Sequence, residues 1–326
     1  MTSPLLELRG VTRHFKVGTG LSRRALHAVD DVDLAVGERE ILALVGESGS
    51  GKSTLARLVA QVHRPTRGEI RYRGRPLSQQ RGRRARLAYR GAVPMVFQDP
   101  FSALNPAYRV SHGILRGITL HQPQLGRGER QSEAERVTEA VGLAPDVLDR
   151  FPYELSGGQR QRIGFAQALS HRPRLILADE PVSMLDVSIR IGLLNVMADL
   201  RESEGVSLLY ITHDIASARY LSDRIAVMYG GHIVETGPTE EVLAHPRHPY
   251  TDLLLSAVPD PRAPLDVDAA TAKTDPPVVI DPTPGCRFRA RCPLAVDRCH
   301  RVTPTLRPVA ERHTAACHVT APGADA

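Results

Sequence analysis

The sequence predicts an α/β fold: a core around a phosphate-binding loop, an antiparallel β layer ahead of it, an inserted helical subdomain, and a small cysteine-containing C-terminal module. Three observations predict it. The stretch Gly46-Glu47-Ser48-Gly49-Ser50-Gly51-Lys52-Ser53-Thr54 fits G-x-x-x-x-G-K-[ST], with the apolar run 41–45 directly before it and Leu55, Leu58 and Val59 at helical spacing after it. Residues 175–178 are apolar throughout and end at Asp179-Glu180, as a strand covered on both faces should. All four cysteines lie after residue 285.

Taken in order, residues 5–8 and 26–34 read as short strands, the second alternating apolar and polar, and together they form an antiparallel layer leading into the strand 41–45. The loop that follows hands its last amides to a helix N-terminus, where unpaired N–H groups and the positive dipole end favour anions. Gly46, Gly49 and Gly51 let the backbone wrap a phosphate, Lys52 reaches the β- and γ-phosphates, and the Ser53 hydroxyl ligates Mg²⁺. A P-loop NTPase core is therefore expected. Residues 64–90 hold ten arginines against the single acid Glu69. With only Tyr72 and Tyr89 available for stacking bases, that run reads as a solvated basic face and not as a nucleic-acid site. Another strand, 93–97, ends at Gln98, and from about 100 to 170 the pattern is helical, with breaks at Gly126, Gly128, Pro145 and Pro152. A helix over 187–203, a strand over 208–211, and a hairpin 225–229/232–235 through Gly230-Gly231 complete the body, which closes near Ala257. Residues 1–258 are thus one nucleotide-binding domain, 259–284 a linker with seven prolines, and 285–326 the cysteine module.

Asp179, at the carboxyl end of its strand, is placed to hold Mg²⁺. Glu180 beside it is placed to orient or deprotonate the attacking water, with a helix-capping acid as the bland alternative. Leu155-Ser156-Gly157-Gly158-Gln159 opens a helix and reads either as a second anion site without a lysine or as a capped helix start. Net charge is +6 over 326 residues, no apolar run approaches the roughly 18 residues of a membrane span, and the first ten residues lack a signal-peptide pattern.

The segment 155–159, about twenty residues ahead of the Asp179-Glu180 pair, resembles the signature of ATP-binding cassette (ABC) ATPases. The resemblance covers residues 5–257. It implies that Gln98 is the Q-loop glutamine, touching Mg²⁺ and sensing the membrane domain. Asp186, in Ser183-Met184-Leu185-Asp186, matches the D-loop, with Met184 where alanine is commoner. His213 matches the switch histidine on the γ-phosphate. Phe15 is either the aromatic that stacks on adenine or part of the core. Two cassettes are expected to sandwich two ATPs head to tail, with Ser156, Gly157, Gly158 and Gln159 facing the partner's nucleotide. The segments 97–106, 179–183, 248–251 and 254–259 resemble the ATPases of oligopeptide and dipeptide importers, a subfamily that also serves oligosaccharides and nickel chelates. The resemblance therefore implies a second ATPase subunit in a heterodimer, two transmembrane permease subunits, an indirect solute-binding receptor, and a place on the cytoplasmic face of the membrane. A soluble ABC ATPase acting on nucleic acid is the different-class alternative, disfavoured by the single cassette.

Cys286, Cys292, Cys299 and Cys317 favour a metal over disulfides. Zinc is the generic Cys₄ answer, but C-x2-C knuckles are absent. An iron–sulfur cluster also takes four thiolates, and Arg287, Arg289, Arg291, Arg298 and Arg301 would offset its charge. Resemblance of 286–293 to the peptide-importer tail implies a four-iron, four-sulfur cluster. His300, His313 and His318 are possible substitute ligands.

Overall fold

The computed structural model describes residues 3–18, 24–80, 82–99, 104–257 and 279–321. Its strands, in chain order, are β1 (Leu6–Val17), β2 (Arg24–Val36), β3 (Ile41–Val45), β4 (Arg67–Tyr72), β5 (Arg75–Pro76), β6 (Met95–Val96), β7 (Leu175–Asp179), β8 (Ser207–Thr212), β9 (Arg224–Tyr229), β10 (His232–Pro238), β11 (Arg307–Ala310) and β12 (His313–Ala315). The chain divides into two compact units, one of residues 1–6, 36–41 and 71–212, the other of 7–35, 42–70 and 213–326.

The second unit carries the phosphate loop. Its strands run β2-β1-β4 in one layer and β11-β12-β10-β9-β3 in another. Leu42 to Val45 of β3 pair in parallel with Arg224 to Val227 of β9, whereas β10 pairs antiparallel with both β9 and β12. Every residue of β3 is buried, which its five apolar side chains permit and a one-sided strand would not show. In β2, Val32, Leu34 and Val36 are buried and Asp33 is exposed, the period-two pattern of a strand with one wet face.

In the first unit β8, β7 and β6 lie side by side and parallel, with Leu175 to Asp179 opposite Ser207 to Ile211. The helical insertion is present as Val110–His121, Arg127–Ala140 and Gly157–Leu169. Ile114, Ile118, Val137, Ile163 and Phe165 supply its fully buried contacts. The helix Val187–Glu204 ends on Gly205 in the left-handed conformation, φ 65°, the usual glycine stop.

Two expectations change, and the arginine-rich run gains detail. The strands expected over 5–8 and 26–34 extend into β1 and β2, because the added residues, such as Thr12, Arg13 and His14, mix polar and apolar side chains at buried and half-buried positions and mask the period. The strand expected over 93–97 shrinks to Met95–Val96: the helix Arg83–Ala92 runs up to it, and Val93 gives its N–H to the Tyr89 carbonyl as that helix's cap. The arginine-rich run is regular structure, β4, β5 and that helix, with Ile70, Leu77 and Tyr89 inward and Arg83, Arg84, Arg86 and Arg90 exposed. Residues 100–103 and 258–278, which include most of the expected linker, lie outside the described residues.

The cysteine segment folds onto the second unit. Val279 accepts the His27 N–H, Ile280 bridges to Leu26, and Asp281 takes the Ala25 N–H and Arg24. Glu235 of β10, wholly buried, accepts from His313 at 2.7 Å and from the Arg247 and His248 amides. Phe288 is buried edge-on against Tyr229, with Tyr250 and His248 beside it. Among the described residues, no helix is long and apolar enough to cross a membrane.

Candidate nucleotide site

β3 delivers the chain into the loop at Gly46, where a Cβ would press on the Met228 carbonyl oxygen; one at Gly51, φ 109°, would press on that of Ala28. Glycine is needed at both because β9 and β2 pass directly behind the loop. Gly51 caps the helix Lys52–Val59, so the amides of Lys52, Ser53 and Thr54 form the first turn of that helix, at the positive end of its dipole. The Lys52 ammonium is buried and donates to the carbonyls of Gly46 at 2.6 Å and Glu47 at 2.9 Å, so it is held inside the loop it should serve. Ser50 Oγ is buried without a hydrogen-bond partner. A backbone nest, an enclosed cation and a spare hydroxyl suit a phosphate chain.

Contacts from distant sequence hold the loop. The Gly231 N–H donates to Ser50 O at 2.8 Å. The Glu47 N–H donates to the Tyr250 hydroxyl at 2.8 Å, and the Glu47 carboxylate accepts two bonds from Arg291. The hydrogen bond to Glu47 raises the Arg291 pKa further above its ordinary value, and burial raises that of Tyr250, so both keep their protons. Sequence reading missed Tyr250 and Arg291. Their partner lies 203 and 244 residues away and no local pattern links them.

Phe15 on β1 is half-buried, with the Arg13 guanidinium 4.5 Å above its ring and His63 edge-on. His213 is exposed ahead of the helix Ile215–Leu221, whose cap Asp214 accepts the Ala216 N–H.

In the first unit Asp179 is buried at the end of β7. Glu180 follows with φ 47°, a left-handed conformation unusual for a residue with a side chain, and its N–H is tied to Ile211 O. Gln98 donates to the Glu180 carboxylate at 3.2 Å and to Ser183 Oγ at 3.3 Å, so two of the expected site residues meet directly. Ser156 and Gln159 form a reciprocal capping box: Ser156 Oγ accepts the Gln159 N–H and the Gln159 side chain accepts the Ser156 N–H. That is the capped helix start, with no glycine strain at Gly157. A Cβ at Gly158 would meet Ile189. Asp186 is the exposed N-cap residue of its helix and makes no side-chain cap bond.

Cys286, Cys292, Cys299 and Cys317 are all free thiols. Cys286 feels the charge of each of the other three, and burial above all pushes its thiol up to about 11. Among the described residues, however, the group of His, Cys, Asp and Glu whose ligand atoms all lie within 4.8 Å is His14, His27 and Asp30, not the cysteines. Three of the neighbouring arginines make their hydrogen bonds elsewhere: Arg287 binds Asp30 and Gly230 O, Arg289 binds Cys286 O and Thr283, and Arg291 binds Glu47. His313 and His318 are engaged elsewhere, with Glu235 and with Val302 O.

Comparison with known proteins is consistent with this geometry. Residues 29–183 match the family described as ABC transporter, and residues 234–299 match the oligopeptide/dipeptide transporter C-terminal region. A probable peptide ABC transporter ATP-binding protein of Sinorhizobium fredii is 42% identical over 100% of this chain and 93% of its own. The oligopeptide transport ATP-binding protein AppF of Bacillus subtilis is 40% identical over 97% of each. Among solved structures, the dimeric post-hydrolysis state of the cassette MJ0796 bound to ADP and Pi superposes with a TM-score of 0.64 at 28% identity, covering 72% of this chain and 98% of that one.

Proposed function

The chain belongs to the ABC transporter family of ATP-binding proteins, and from that premise we propose that it is the ATP-hydrolysing subunit of an importer for oligopeptides or dipeptides, seated on the cytoplasmic face of the membrane. The observation that carries the reading is the loop 46–54 with Lys52 enclosed in it, on a chain whose residues 234–299 match the oligopeptide/dipeptide transporter C-terminal region. Lys52 would exchange its two loop carbonyls for β- and γ-phosphate oxygens, at little reorganisation cost because the ammonium is already in place. The first-turn amides of the helix Lys52–Val59 would take the remaining phosphate oxygens. Ser53, Asp179 and Gln98 would hold Mg²⁺, whose charge offsets that developing on the phosphates. Glu180, fixed by Gln98 and by its own backbone strain, would polarise the attacking water, and His213 would contact the γ-phosphate.

Ser156, Gly157, Gly158, Gln159 and Asp186 would serve the nucleotide of a second ATPase subunit, in a heterodimer bound to two permease subunits and served by an extracytoplasmic receptor. Exposed Met184, Val187 and Ile191 near Asp186 are apolar surface suited to such a partner. Phe15 would stack on the adenine. The four cysteines would hold a four-iron, four-sulfur cluster, with zinc as the alternative. Co-purification of the transporter with its receptor, followed by identification of the bound ligand and ATP-dependent uptake in vesicles, tests the reading. Peptide in the receptor supports it; an oligosaccharide or a nickel chelate keeps the ATPase role and changes the cargo. Salt-sensitive nucleic-acid binding by a transporter-free chain contradicts it.

A further inference from the structure

The turn between Cys286 and Cys292 reaches the phosphate loop at both of its ends. Arg291, one residue ahead of Cys292, donates to both carboxylate oxygens of Glu47, at 2.7 and 2.9 Å. The pair is shielded, with the two side chains 12% and 25% exposed, and the guanidinium lies 5.8 Å from the Tyr229 and Phe288 ring centres. Glu47 is also the residue whose carbonyl holds the Lys52 ammonium. At the other end Arg287, one residue after Cys286, donates to Gly230 O and to Asp30, and the next residue, Gly231, gives its N–H to Ser50 O. The turn itself is tight: Arg289 N–H bonds to Cys286 O, Arg291 N–H to Phe288 O, and Cys286 N–H to Cys299 O. Five residues closed in this way leave little slack between the sulfurs and the arginines.

We infer that the four-cysteine module is a working wall of the nucleotide site: Arg291 and Arg287 are positioning residues for the phosphate loop, and the state of the flanking thiols is coupled to nucleotide occupancy. Whatever binds or bridges Cys286 and Cys292 sets the arginines, and the arginines set Glu47 and Ser50, between which the loop is strung. Linkage makes the effect reciprocal, so nucleotide in the loop must steady the turn by the same factor that the turn improves nucleotide affinity. Lysine cannot replace Arg291 fully, because one ammonium cannot make the bidentate contact.

The inference rests on the assignment of loop 46–54 to ATP, and one experiment separates the two. Hydrogen exchange is followed by mass spectrometry on the full chain, with and without ATP, alongside ATP affinity and steady-state kinetics of the assembled ATPase. Arg291→Ala should speed exchange over residues 46–52, weaken ATP about tenfold, a typical size for coupling between sites, and act on KM more than on kcat. ATP should slow exchange over 286–292 in the unaltered protein and not in Arg291→Ala. Arg291→Lys should recover part of the loss. Glu47→Gln, which removes the same contact from the loop side and alters no residue of the module, should reproduce the effect, and the double variant should be no worse than either single one. Unaltered loop exchange and ATP affinity in both single variants, or a 286–292 turn indifferent to ATP, would overturn the coupling while leaving the nucleotide site intact. An unaltered protein that binds no ATP would overturn the assignment and the inference together.

Discussion

Loop 46–54 and the helix start at Ser156 are both glycine-rich anion sites by composition, and the chain holds them in opposite ways. The loop is braced by β9, by Tyr250, by Gly231 and by Arg291, and its lysine is already buried inside it. The Ser156 helix start is closed on itself by a capping box between exposed Ser156 and half-buried Gln159, and nearby Met184 and Val187 are 64% and 70% exposed. A site braced from four directions can grip a ligand without help. One whose polar groups satisfy each other gives up two capping bonds, each worth roughly 1 kcal/mol, before those groups can turn to a ligand. The difference suits the proposal that the loop grips nucleotide by itself and the Ser156 face acts with a partner.

The comparison breaks first at Lys52. Lys52→Ala should abolish hydrolysis, since no other cation sits in the loop's interior in the described residues, while far-UV circular dichroism stays close to that of the unaltered chain. Turnover at the normal rate would remove the loop from the mechanism. Glu180→Gln should keep ATP binding and cut hydrolysis by on the order of a hundredfold, the scale of lost general-base help. Filter binding and phosphate release read the two halves, and undiminished release would move the role elsewhere. Ser156→Ala should cost about 1 kcal/mol of stability through the lost cap, and its loss of hydrolysis should appear at the partner's nucleotide. Pairing it with a partner chain lacking its own loop lysine puts both lesions in one composite site, so about half of the turnover should survive; complete loss would contradict the head-to-tail arrangement.

The smallest effect is on acid stability. Burial pushes the His232 and His248 pKa values down to about 4. An unfolded chain takes protons on these rings from about pH 6.5, whereas the folded chain refuses them until about pH 4. The unfolded state therefore binds more protons across that window, and stability falls as pH falls through it. Burial pushes the Asp30 carboxyl up, but the His27 hydrogen bond and the Arg287 charge outweigh it and hold it at about 2. Its contribution is present above the usual carboxylate value and is lost between there and about pH 2. Both groups sit where the cysteine segment packs, so thermal melts from pH 7 to pH 4 should lose the contacts of residues 279–321 early. A melting temperature flat over that range would contradict the burial of these histidines.

Local chemistry was legible in the sequence and long-range bracing was not. The loop, β3, β7 and the helix start at Ser156 were readable because each carries its own period or its own glycines. Gln98 and Glu180 were placed by motif order, and the structure joins them by a hydrogen bond. Arg291 was visible only as one arginine among several near cysteines, with nothing to point to Glu47. Its carboxylate partner lies 244 residues earlier, and a pairing at that range leaves no periodic trace. The short β6 and the regular structure within the arginine run were hidden for a related reason: their buried residues are single apolar side chains such as Ile70 and Tyr89 between exposed cations.

The most direct test of a self-sufficient grip and a borrowed catalytic half is made on the isolated chain, with its mass followed by light scattering. Titration with ATP should show one nucleotide bound per chain and slow hydrolysis, with turnover rising steeply when a second cassette subunit is added. A chain that stays monomeric and hydrolyses ATP at the rate of the assembled transporter would contradict the account.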